Sequence, residues 1–243
     1  MKKRSKTEVE IRNILSETLL HSLRSSTKVN ILNLILKYCN KTSHHSVNAV
    51  YLKDLLERTA ILDRVEFNFK HVSKDDHLKR LFVFGPGNSI KLKGRYAEHQ
   101  TFICRKAKAY LKVISRMKSG SERFDDKLQD KVRVGVMLFN HGFFFECHEF
   151  LEEIWLNEKG REKSFLKGLI HACVAFYHLE YENIKGAVKY LKGSSVKLKE
   201  FQPNFLGVDV SNFLSDIERN LRSFEKSKPK RMKLAIPKIK LID

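Results

Sequence analysis

The 243-residue chain is sparing with several residue types that mark whole protein classes: it has four cysteines, four prolines and one tryptophan. No apolar run approaches the roughly eighteen residues that a bilayer-spanning helix requires, so no membrane helix is expected. The opening MKKRSKTEVEIRNILSETLL passes into mixed charge without the short apolar core of a secretory signal, and Glu8, Glu10 and Glu17 argue against a transit peptide. Cys39, Cys104, Cys147 and Cys173 are widely spaced, with no short pair for zinc and too few for a disulfide framework in a chain of this size. The simplest reading is a reducing interior: the cytoplasm, or an organelle interior if the chain is encoded there. No activated-serine motif or phosphate loop is present, Gly85-Pro86-Gly87 being too short to form one, and no internal repeat is visible.

What the chain does have is positive charge, unevenly distributed. Residues 1–130 hold 27 basic against 14 acidic side chains, residues 131–225 hold 13 of each, and residues 226–243 hold seven basic and one acidic. Attraction to a polyanion therefore belongs to the two flanks and not to the balanced segment between them. A Lys-rich surface that is merely solvated is the competing explanation. With 42% hydrophobic residues the chain can still build a packed core.

Apolar residues at spacings of three and four predict helices over 8–24, 29–38 and 47–59. Alternation predicts a strand over 64–69, and RLFVF and SIKLK read as two short strands joined by Gly85-Pro86-Gly87-Asn88, a tight-turn signal. Three helices and a basic hairpin suggest an α+β module on the plan of a winged helix-turn-helix. Lys79, Arg80, Lys91, Lys93 and Arg95 are its candidate phosphate contacts. The candidate groove helix, YLKDLLERTAIL, carries as many acids as bases. Helical patterning then runs over 96–117, 124–139, the stretch below, 162–181, 184–198 and 210–224, with Gly186 and Gly193 weakening the helix that contains them. The fold class is mainly α: a basic module over 1–94, a helical bundle over 95–225, and an extended basic tail over 226–243.

The stretch FNHGFFFECHEFLEEIW, residues 139–155, concentrates four glutamates, two histidines, a cysteine and the only tryptophan. On a helix, His148, Glu152 and Trp155 share one side, and Glu146, Glu149 and Glu153 form an adjoining stripe. His148 to Glu152 reads H-E-x-x-E, one residue away from the zinc-protease H-E-x-x-H pattern, and mixed His/carboxylate sets suit Zn, Mn or Fe. The following apolar helix carries His171 and His178, two turns apart and hence roughly 10 Å from each other, so at most one joins a mononuclear site. The metal candidates are Glu146, His148, Glu152, His171 and His178, with Glu149 as candidate general base. Three readings stay open: a metal or catalytic site, a pocket for a nonmetal ligand, and a structural network in which Glu/His pairs fix helix register. Cys147 and Cys173 read as small buried hydrophobes.

FNHGFFFECHEFLEEIW, GREKSFLKGLIHACVAFYHLEYENIKGAVKYL and FQPNFLGVD resemble the domain of unknown function 309 family over about residues 131–225. Asn140, Gly142, Glu146, His148, Glu149, Glu152, Trp155, His178, Asn183, Gly207 and Asp209 are among the matching positions. The resemblance implies a small all-helical bundle and carries no activity with it. Two positions depart from the pattern: His171 stands where a glutamine is usual, and Glu182 where a glycine precedes Asn183.

Three functional classes follow. The leading one is a helical domain with a Glu/His polar pocket, fused to a basic module that contacts nucleic acid through residues 1–94 and the tail. The second is a metal-dependent, hydrolase-like enzyme with Glu149 as base toward a bound water. The third is a protein-interaction scaffold or homo-oligomer that needs neither site. A divalent metal is the cofactor to consider, and no membrane partner is expected.

Overall fold

In the computed structural model the described residues are 5–24, 26–43, 50–51, 54–55, 75–119, 127–226 and 236–242. They are mainly α, and the chain divides into two compact units, residues 4–121 in one and residues 1–3 with 122–243 in the other. No helix among the described residues is long and apolar enough to cross a membrane.

The first unit begins with α1 (Lys6–Arg24) and α2 (Ser26–Ser43). A reciprocal capping box starts α1: the Glu8 N–H donates to Ser5 Oγ at 3.1 Å and the Ser5 N–H to Glu8 Oε2 at 3.2 Å. The helix then buries Ile11, Ile14, Leu15 and Leu19 against α2, whose Ile31, Leu32, Leu34 and Ile35 are equally buried. After β1 (Val50–Tyr51) come α3 (Asp76–Leu81), β2 (Phe82–Gly85) and β3 (Ser89–Leu92). The Asp75 carboxylate caps α3 by accepting from the His77 and Leu78 amides.

The hairpin turns where the glycine and asparagine signal put it, with Gly87 at φ 65° and Asn88 at φ 59°. β3 lies between β1 and β2, antiparallel to both. The registers put Val50, Phe82, Ile90 and Leu92 on the buried face and Tyr51, Val83 and Lys91 on the exposed one. The Leu92 N–H donates to the Tyr38 hydroxyl at 3.0 Å, fixing the sheet to α2. Burial of Tyr38 raises its pKa.

Two expectations need correction here. Val50 and Tyr51 pair as a strand and are not part of a helix over 47–59, because the apolar Val50 completes a sheet opposite Ile90. Cys39 and Cys104 are bridged, linking α2 to α4 (Gln100–Ser119); their separation of 65 residues hides a neighbourhood that only helix packing creates. The predicted strand over 64–69 and most of YLKDLLERTAIL lie outside the described residues. α4 packs on α1 and α2 through Ile103, Ala107 and Tyr110, so the compact unit runs past residue 94, where the sequence pattern changes.

The second unit contains α5 (Leu128–Asn140), α6 (Phe144–Asn157), α7 (Gly160–Glu180), α8 (Ile184–Leu198) and α9 (Val210–Lys226). Phe139 sits at the centre of its core, its ring meeting those of Phe144, Phe176 and Phe213 edge-on at 5.1–5.6 Å. Between α8 and α9 a small hairpin pairs β4 (Asn204–Phe205) with β5 (Val208–Asp209). Its two-residue turn has Leu206 at φ 47° and Gly207 at φ 74°, the mirror-image geometry that matches strand twist. Residues 236–242 return to this hairpin, and Leu241 bridges Val208.

Candidate functional site

α6 divides the polar stretch between core and surface. Phe144, Glu146, Cys147, Phe150 and Leu151 are buried, while the His148, Glu149 and Glu152 side chains are 24%, 44% and 42% exposed. The Glu146/Glu149/Glu153 stripe is therefore not one surface: Glu146 is only 1% exposed, and Glu149 and Glu153 face solvent. His148 Nδ1 lies 3.2 Å from Glu149 Oε1, and its Nε2 lies 3.1 Å from Glu152 Oε2. One potential ligand atom from each residue falls within 4.8 Å of the others.

Among the described residues these three make the one cluster of three or more such groups, so Glu146, His171 and His178 do not join it. The imidazole meets the two carboxylates with opposite nitrogens, an arrangement that also ties the three side chains together on the helix surface.

His171 and His178 face α8 instead. A Cβ at Gly193 would come within 2.6 Å of His171 Nδ1, and one at Gly186 within 2.8 Å of the His178 ring. These glycines do not interrupt α8; they let it approach α7 with two imidazoles in the seam. The Tyr190 ring meets His171 edge-on and stacks on His178, both at 5.4 Å. Asn183 caps α8 by accepting from the Gly186 N–H at 3.0 Å, which leaves its Nδ2 to donate to His178 Nδ1 at 2.9 Å. His178 Nδ1 is thus an acceptor and the ring neutral. Burial lowers the pKa of His178, and burial with nearby Lys167 and Lys197 lowers that of His171.

Cys147 and Cys173 are buried with their sulfurs 2.9 Å apart, and the Cys147 thiol donates to the Gly135 carbonyl at 3.1 Å. Burial, with Cys173 beside it, pushes the Cys147 pKa well up and keeps it a thiol. Trp155 packs beneath two ammonium groups, Lys163 Nζ at 4.5 Å and Lys167 Nζ at 4.4 Å from the ring centroid.

In the first unit three of the five predicted phosphate contacts have acidic neighbours. Arg80 pairs with Glu17, Arg95 with Glu10 at 2.9 Å, and Lys79 lies 3.9 Å from Asp76. Lys91 projects from the exposed sheet face and Lys93 is half-buried. The basic feature that sequence reasoning missed lies on α4, where Arg105, Lys108, Lys112 and Arg116 are all exposed at spacings of three, four and four. Those spacings make one stripe on one helix face. Gln100–Ser119 contains no acidic residue, a signal that was visible in the sequence but lay behind the apolar periodicity.

Residues 132–190, from α5 into α8, match the model of a family described as Domain of unknown function (DUF309), the family that the α6 and α7 motifs resemble. An uncharacterized protein of Aquifex aeolicus (strain VF5) is 28% identical over 99 residues, covering 40% of this chain and 30% of that protein. Uncharacterized protein YpuF of Bacillus subtilis (strain 168) is 39% identical over 75 residues, covering 29% of this chain and 42% of that protein. The chain thus spans less than half the length of either relative.

Proposed function

We propose that the chain is a nucleic-acid-binding protein in which the first unit engages the phosphate backbone, joined to a helical domain of the DUF309 type. The observation that carries this reading is the α4 stripe of Arg105, Lys108, Lys112 and Arg116 on a helix without acids. From Arg105 to Arg116 the helix rises about 16 Å. Over that length duplex DNA carries about nine phosphates. Lys91 on the exposed sheet face, beside Tyr51 and Val83 at 52% exposure each, adds a basic and aromatic surface of the kind that bases stack on.

Charge reversal separates this from a merely solvated surface. With Arg105→Glu and Lys112→Glu combined, affinity for duplex or single-stranded DNA at about 50 mM salt should fall at least tenfold, and the slope of log affinity against log salt should flatten by about 2 units. Unchanged binding in the double variant would remove the stripe from the reading.

A second reading rests on His148, Glu149 and Glu152: a divalent cation held at the surface of α6, of the Zn, Mn or Fe type. In its enzymatic form Glu149 is the base toward a metal-bound water. Glu149 is itself one of the three clustered groups, which favours simple cation capture. Added Zn²⁺ or Mn²⁺ should raise the melting temperature of the wild-type chain and leave Glu152→Gln unmoved. Equal shifts in both proteins would place the ion elsewhere, and no shift in either would end this reading.

A further inference from the structure

Asn140, Gly207 and Asp209 take no part in the Glu/His cluster or the basic stripe. They converge instead on the chain's own end. The Asn140 side chain pairs with both backbone groups of one residue: its Nδ2 donates to the Ile239 carbonyl and its Oδ1 accepts from the Ile239 N–H, both at 2.9 Å. Beyond it the Asp209 N–H donates to the Lys240 carbonyl at 3.0 Å, and the Ile242 N–H donates to the Gly207 carbonyl at 2.9 Å. These two bonds bracket the antiparallel Val208–Leu241 bridge, so the segment adds a strand to the β4–β5 hairpin.

Side chains supply the remaining specificity. Ile239 is 4% exposed while its neighbours Lys238 and Lys240 face solvent, the alternation of a strand lying on a surface. The Lys238 ammonium donates to the Asn140 carbonyl at the carboxyl end of α5, where the helix dipole favours a cation. Pro237 holds its own φ and keeps the preceding residue extended.

We propose that this groove is a binding site for an extended peptide, and that residues 236–242 are its tethered occupant. Four of its five polar contacts go to backbone atoms of the seated segment, which any extended sequence offers. The pocket under Ile239 and the carbonyl end of α5 select an aliphatic residue preceded by lysine. The ligand class is thus an extended, lysine-bearing segment with an aliphatic anchor, supplied by another chain when the tail is displaced. Tethering gives the tail an effective concentration in the millimolar range, so an external peptide competes poorly until the tail is weakened.

The test uses the full chain and a fluorescein-labelled peptide of residues 234–243, LAIPKIKLID. Ile239→Asp in the protein puts a charge where an aliphatic side chain is buried and should free the groove. That variant is expected to bind the peptide at least tenfold more tightly than the wild-type chain does, and adding Asn140→Ala should return binding to the wild-type level or below. Equal binding by wild type and I239D, or retention of tight binding in the double variant or with a scrambled peptide, would overturn the proposal. Hydrogen exchange gives a readout that does not depend on trans binding. Asn140→Ala alone should speed exchange of the Ile239 and Ile242 amides and leave the amides of α6 and α7 protected. Exchange that is unchanged, or that rises throughout the domain, would make Asn140 a structural residue and count against the site.

Discussion

His178 is a neutral imidazole because its packing asks it to be one. Asn183 spends its oxygen on the Gly186 amide and offers only an N–H to His178 Nδ1, and the Tyr190 ring covers one face. His171, with its Nδ1 buried against Gly193, has its pKa lowered in the same direction. A histidine whose folded pKa lies below its unfolded value, about 6.5, leaves stability unaffected above that value. As pH falls from about 6.5 toward the folded pKa, the unfolded chain takes up more protons and the fold loses stability. The melting temperature should therefore drop between pH 7 and pH 5, and the drop should be smaller in a His171→Gln/His178→Gln variant. An identical pH profile in the two proteins would contradict this account. The sequence marked both histidines as notable, and their role as seam residues depends on glycines on the next helix, which no spacing along α7 can reveal. His148 was different. Its partners sit one and four residues away on the same helix, so the His148/Glu152 pair was legible from spacing, whereas Glu149, expected as a base on an adjoining stripe, is one of the clustered groups and Glu146, His171 and His178 are not.

At the scale of elements, the second unit depends on how closely α7 and α8 approach. Gly168, Gly186 and Gly193 each lie where a Cβ would come within 2.6–2.8 Å of a side chain on the facing helix. In a free helix Gly→Ala stabilises by about 1 kcal/mol through backbone entropy. At Gly193 the same change should instead destabilise by about 1–3 kcal/mol, the usual cost of overpacking, because the His171 ring ahead of it is held edge-on by Tyr190. Chemical denaturation of Gly193→Ala reads the sign directly. A gain in stability would mean that the seam is loose. In the sequence Gly186 and Gly193 looked like interruptions; the order and period of the helices were legible, but the reason for glycine inside one of them was a property of the pair. The hairpin Phe82–Leu92 was readable from its turn, whereas β1 was hidden in a helical-looking run because only two residues of it pair.

At the scale of the whole molecule the charge has an address. Residues 131–225 balance their charges, and the excess lies on either side of them. Composition located that excess, but not how folding distributes it over the surface. Arg80 and Arg95 sit beside Glu17 and Glu10 from α1, neighbours that folding alone supplies, while α4 presents its cations on a face with no acid of its own helix. The tail is likewise more than a basic extension, since residues 236–242 fold onto the hairpin that follows α8. The family match covers residues 132–190, within the second unit, so the nucleic-acid reading stands on the physical chemistry of α4. The most direct measurement is the affinity of the full chain for a short duplex DNA from about 50 to 200 mM salt. Four phosphate contacts from the stripe correspond to a log–log slope of about −3.6 or steeper, with affinity falling more than a hundredfold over that range. Binding that is undetectable at the lowest salt, or a slope near zero, would contradict the account.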